Sequence, residues 1–126
     1  MRDTTKVEWI LRVAMCGEFL GHGVFALQAK QSWIPYFTSV GISKAAATTL
    51  LPLIGALDIA VAVLALVFPF RLLLMWGAFW GFATALIRPV AGEPVWDFFE
   101  RWANIGVPLG LLYLRRLPKN LKEYFR

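Results

Sequence analysis

One cysteine and one histidine leave a chain of 126 residues few ways to build reactive chemistry. Cys16 stands alone, so an internal disulfide and a cysteine-rich zinc site are both excluded. His22 is equally solitary; a haem would need a second ligand of another type or from a partner chain. No metal-ligand spacing, phosphate-binding glycine loop or nucleophile elbow occurs. Charge is scarce as well. Charged residues make up 17% and hydrophobic residues 59%, against roughly 25% and 45–50% in soluble domains.

What remains is arranged in long apolar stretches with charge crowded at the ends and in short connections. A membrane-crossing helix needs roughly 20 mainly apolar residues. Four such spans are predicted, at about 7–28, 45–68, 70–87 and 95–114. The fold expectation is therefore all-α: a single transmembrane domain forming an integral membrane four-helix bundle, with no room for a soluble catalytic domain. The first apolar run is interrupted by Glu8, Arg12 and Glu18 and lacks a small-residue cleavage site, so it reads as a retained helix and not a signal peptide. The connection from Ala29 to Ser43 carries Trp33, Pro35, Tyr36 and Phe37 and suits a short interfacial helix or a loop over the bundle. The tail from Arg115 to Arg126 reads as a short amphipathic surface helix.

The net charge of +5 lies mostly in Arg115, Arg116, Lys119, Lys122 and Arg126. A basic cluster just after an apolar run fits an anionic leaflet, so the expected partner is the lipid bilayer and nucleic acid is excluded. With four spans, both termini and the second loop share one side. That side carries Arg2, Lys6, Arg71 and the five tail residues, eight in all, against three (Lys30, Lys44 and Arg88) on the other. The imbalance places both termini in the cytoplasm.

Ionisable groups within a bilayer cost about 2.5–3.5 kcal/mol each on insertion scales, so they mark function or pairing. Here they are Glu18, His22, Asp58, Glu100 and Arg101. Arg12 and Arg88, near span ends, have side chains long enough to snorkel to the interface. Glu18 and His22 are four apart and share a face of the first span. Asp97, Arg101, Asn104 and Pro108 form a stripe on the fourth, widened by Glu100. Asp97 also suits the start of that helix. The expected product is a polar pocket opening outward beneath Trp33, Tyr36 and Trp96, with Glu18, His22, Asp58, Glu100, Arg101 and Asn104 as ligand-binding or proton-handling candidates. Pairing that merely neutralises buried charge is the competing account of the same residues. Gly17-x-x-x-Gly21 and Gly77-x-x-x-Gly81 match the close-packing motif of membrane helices. Trp76 and Trp80 form a packing ridge on the third span.

Three stretches also carry a family resemblance: Gly-His-Gly at Gly21 to Gly23, Leu-Pro-x-x-Gly-x-x-Asp at Leu51 to Asp58, and Glu-Arg-x-x-Asn at Glu100 to Asn104. With them the chain resembles the DoxX-like family of small four-helix bacterial membrane proteins over most of its length. That resemblance implies the bacterial inner membrane as location. It also implies a link to quinone-dependent sulfur oxidation and membrane oxidoreductase assemblies, without assigning catalytic residues. A quinone head group needs one or two hydrogen-bonding groups at the rim of an apolar, aromatic pocket. The leading expectation is a small membrane subunit or scaffold of a redox-linked complex, with quinone as the candidate cofactor and other membrane subunits or further copies of the chain as partners. A structural accessory subunit without chemistry of its own, and a small oligomeric transporter, stay open as alternatives.

Overall fold

Six α-helical segments and two 3-10 turns make up the ordered structure of residues 2–126 in a computed structural model. Helix α1 (Asp3–Leu27), α3 (Lys44–Val67) and α4 (Arg71–Val90) are the long ones, and each is long and apolar enough to cross a membrane. The first and second follow the predicted spans, α1 starting four residues earlier than the span expected from Val7. Helix α4 runs past the predicted end at Ile87 and takes in Arg88 and Pro89. Proline is tolerable there because Ala91, the C-cap, donates to the Ile87 carbonyl and closes the turn.

The fourth predicted span is broken. A single turn, α5 (Trp96–Phe99), is followed by the bend at Glu100 and Arg101 and then by α6 (Trp102–Leu114). Helix α6 has 13 residues, about 20 Å at 1.5 Å per residue. The break falls where two consecutive charged residues interrupt the apolar run. The tail also departs from expectation. It forms no α-helix, because Pro118 restricts Leu117 to extended backbone; it ends in a 3-10 turn over Leu121–Phe125, started by the Asn120 side chain accepting from the Glu123 amide at 3.1 Å.

Helices α1 and α3 pack most intimately, and glycine is the reason. A Cβ on Gly23 would lie 3.0 Å from the Gly55 carbonyl, and one on Gly55 would lie 2.7 Å from the Leu27 amide nitrogen. On the other side of the bundle, a Cβ on Gly81 of α4 would meet the Asn104 carbonyl of α6 at 2.6 Å. Gly77 is similarly occupied by the Met15 side chain. Gly17 and Gly21 face open space instead, so the first of the two glycine motifs is not a packing site within this chain. The α1–α3 seam uses Gly23, two residues beyond Gly21 and so on roughly the opposite face of α1.

The helices thus form a ring in the order α3, α1, α6, α4. At the end holding both termini, a core of Met15, Phe19, Val61, Ala65, Leu74 and Leu111 fills the centre. A smaller cluster of Ala26, Ile34, Ala47 and Leu51 lies at the opposite end under α2 (Ile34–Thr38). The outward faces are apolar as well: Ile10, Val13, Leu53, Val63 and Phe79 are all exposed.

Polar fastenings sit at the terminal end. Arg12 does not reach out to an interface. Its guanidinium turns onto the last carbonyls of α3, donating to Ala65 at 3.3 Å and to Leu66, and it lies 4.0 Å over the Trp9 ring. Those carbonyls have no partner further along their own helix, so a cation at that helix end is doubly favoured. Glu8 joins the cluster, accepting from Arg115 at 2.8 Å.

Candidate functional site

Helices α3 and α4 are consecutive in the chain yet part from one another in the half of the bundle away from the termini. The gap is a cavity of about 250 Å³, roofed by the segment that carries Trp33, Tyr36 and Phe37. Leu51, Ile54 and Asp58 supply one wall from α3, Trp80, Thr84 and Arg88 another from α4, and His22 closes the side formed by α1. The gap exists because no glycine pair draws α3 and α4 together as it draws α1 to α3 and α4 to α6. Bulky side chains, Ile54 of α3 and Trp80 of α4 among them, line it instead.

Asp58 is the unusual group in this wall. Only 2% of the residue is exposed, and its Oδ1 atom has no hydrogen-bond partner. Buried carboxyls nearly always find partners, so an orphaned oxygen beside a cavity calls for an explanation. Gly55 sets its position: the close α1–α3 approach holds this stretch of α3 rigidly against Gly23 and so puts Asp58 near the level of His22. The His22 ring meets Trp33 edge to face, centroids 5.9 Å apart. Thr84 contributes little polarity to the cavity, because its hydroxyl donates back to the Trp80 carbonyl at 2.8 Å.

Arg88 departs from expectation in a different way. It does not snorkel; only 6% of the residue is exposed. Its guanidinium donates to the Tyr36 hydroxyl and lies 4.7 Å from the Tyr36 ring centroid. The Tyr36 hydroxyl in turn donates to Glu93 Oε1 at 2.7 Å. This Arg88–Tyr36–Glu93 chain ties the roof to the end of α4. Gly92, at φ +96°, turns the backbone so that Glu93 can close it. Burial, and then the bond to Glu93, push the Tyr36 phenol up to about 12. The raised value means that the protonated hydroxyl is the form the fold prefers. Its contribution is complete below the ordinary tyrosine value near 10 and is lost as pH rises through about 12. Thermal unfolding of the wild type and Tyr36→Phe should therefore differ by a constant amount from pH 7 to 9, with the difference shrinking above pH 10. A difference that grew with pH would contradict the bond.

The sequence candidates divide. His22 and Asp58 share the cavity wall. Glu18 is half-buried below it and is an electrostatic neighbour of Asp58. Glu100 sits at the helix break with its side chain 63% exposed, 3.9 Å from the Arg101 guanidinium. Arg101 is within electrostatic reach of His22, and Asn104 is half-buried with its backbone carbonyl against Gly81. None of Glu18, Glu100, Arg101 and Asn104 lines the cavity, and Trp96 is 72% exposed. For Glu100, Arg101 and Asn104 the break before α6 is the reason, since it ends the single face on which Asp97, Arg101 and Asn104 were expected to align. Tyr36, Arg88 and Glu93 were not anticipated together. A charged residue retained inside a helix, with a carboxylate five residues beyond it, is the only local signal. Among the described residues no three His, Cys, Asp or Glu side chains converge on a common point. The chain matches no protein-family model, no curated protein and no solved structure.

Proposed function

We propose that this chain is a small integral membrane protein whose cavity between α3 and α4 binds a membrane-soluble amphiphile, with a quinone head group as the leading candidate, in the service of a redox-linked membrane complex. The observation that carries the reading is the buried carboxyl of Asp58, whose Oδ1 has no hydrogen-bond partner, in the wall of a cavity lined mainly by aromatic and aliphatic side chains with His22, Thr84 and Arg88 among them. Small-molecule sites combine an apolar enclosure with a few placed polar groups in this way.

Insertion in a membrane rests on the three long apolar helices and on their apolar outward faces, since soluble monomers rarely expose contiguous apolar surface on this scale. In this reading α5 and α6 together make the fourth crossing. The distribution of lysine and arginine favours termini in the cytoplasm and the roof outside, and the DoxX-like resemblance favours a bacterial inner membrane. Maleimide labelling of intact cells tests that topology in a Cys16→Ser background. A cysteine at exposed Ser39 should label from outside, and one at Lys119 only after the membrane is opened. Labelling of both from the same side contradicts the four-crossing arrangement.

Mass spectrometry of the gently purified protein tests the function itself. A quinone or related amphiphile near one per chain, or a redox protein in fixed ratio, is the expected result. A bare protein with neither would rule out this reading. It would favour the structural accessory role, to which Glu8, Arg12 and Arg115 already point as fastenings between helices.

A further inference from the structure

We infer that the head group this cavity prefers carries a hydroxyl directed at Asp58, so that of the two redox forms of a quinone it takes the hydroxyl-bearing quinol (or another phenol) over the oxidised, carbonyl-only ring. The inference deepens the amphiphile reading above and rests on it.

The argument begins with what Asp58 lacks. Its Oδ1 is shut off from solvent and accepts no hydrogen bond from the protein. An ionised carboxylate offers only acceptors, whereas a protonated carboxyl offers one donor and keeps acceptor capacity. A ligand hydroxyl donates and accepts, so it pairs with Asp58 in either state. A ligand carbonyl accepts only, so it pairs in one state and leaves the carboxylate unsatisfied in the other.

No protein group is placed to substitute for that hydroxyl. The Thr84 hydroxyl, in the same cavity, is committed to the Trp80 carbonyl at 2.8 Å. Arg88 donates through Nη1 to Tyr36 at the roof, its Nε has no partner, and neither it nor His22, on the α1 side of the cavity, is bonded to Asp58. The shape of the head follows from the walls. Trp33, Phe37 and Trp80 offer flat faces and edges, and aromatic pairs favour a planar partner.

Three probes of nearly equal shape test the inference: decylhydroquinone, decylbenzoquinone and the dimethyl ether of the hydroquinone. Binding is read from quenching of tryptophan fluorescence in detergent-purified full-length protein, kept anaerobic so that the hydroquinone persists. The hydroquinone should bind about tenfold more tightly than either other probe, the cost of leaving one buried acceptor unpaired. Asp58→Asn keeps the shape of the side chain and adds an amide donor, so the preference should fall below about twofold, chiefly through tighter binding of the benzoquinone. Thr84→Val should leave the preference intact, because that hydroxyl is already internally bonded. Equal or tighter binding of the benzoquinone by the wild type overturns the inference and leaves the amphiphile reading standing. A preference unchanged in Asp58→Asn overturns it likewise. Failure of all three probes to bind overturns the inference together with the reading beneath it.

Discussion

Gly55→Ala should destabilise the bundle by about 1–3 kcal/mol, the usual cost of forcing an extra methyl into a filled space. The added methyl has nowhere to go. It would lie 2.7 Å from the Leu27 nitrogen, 2.8 Å from the Gly23 carbonyl and 2.9 Å from Leu27 Cγ. Two of those three atoms are backbone, so no rotamer change makes room and α1 must move away from α3. In detergent the thermal midpoint should fall by on the order of 10 °C. Gly17→Ala and Gly21→Ala are the matched controls, since a Cβ at either position meets nothing within 4 Å. Alanine is the better helix former, so these two should be neutral or slightly stabilising. A Gly55→Ala protein as stable as these controls would contradict the close α1–α3 seam. Because Asp58 stands on that seam one turn from Gly55, the same substitution should weaken binding of any cavity ligand even in the fraction that stays folded.

The seam also shows how much of this molecule its sequence makes legible. Apolar runs of about 20 residues announce α1, α3 and α4, because length and composition alone decide whether a helix suits a bilayer. Glycine spacing pointed to close approach at Gly77 and Gly81, which the bundle shows, and at Gly17 and Gly21, which meet nothing within this chain. A small-residue motif says that close approach is permitted; which face of α1 meets α3 is decided by the partner surface, where Gly55 and Ile59 accept Gly23. His22 and Asp58 could be picked out one by one because polar groups in apolar runs are costly. A pocket beneath Trp33 and Tyr36 that holds both was expected, and the cavity has that roof and those two walls; its place between α3 and α4 was not legible, since it arises where those two helices fail to pack. The fourth segment misled for a local reason. Its hydrophobicity is continuous enough to suggest one helix, yet Glu100 and Arg101 fall together and the backbone bends there. Arg88 misled for a non-local one. Its partner Tyr36 is 52 residues away, beyond the reach of any periodicity argument, so interfacial snorkelling was the natural expectation for an arginine at a span end.

Arg71→Gln should have the second large effect, and at the other end of the molecule. Arg71 opens α4 and gathers carbonyls from the end of the chain. It donates through Nε to Arg116 at 2.6 Å, through Nη1 to Arg126 at 2.9 Å, and also to Arg115. Its own backbone amide donates to Arg126 at 3.2 Å. The Arg115 and Arg116 carbonyls follow the last turn of α6 and have no partner within that helix. Arg116 sits at φ +69°, a left-handed conformation that arginine adopts only under constraint, and the guanidinium is what secures it. Hydrogen bonds to charged groups contribute about 1.5–3 kcal/mol. With water able to replace some of them at this edge, a net loss of about 2–3 kcal/mol is expected. The tail should loosen before the bundle unfolds, so trypsin should cut at Lys119 and Lys122 several-fold faster in Arg71→Gln than in the wild type. Arg71→Lys should recover only part of the protection, because an ammonium cannot fork across three carbonyls. Unchanged cleavage in Arg71→Gln would show that the tail is held by something else. Arg71 lies across the packed core from the cavity, so ligand binding by the folded protein should survive its loss. That outcome would separate the arginines that fasten helix ends, Arg12 and Arg71, from Arg88, whose bonds close the roof of the site.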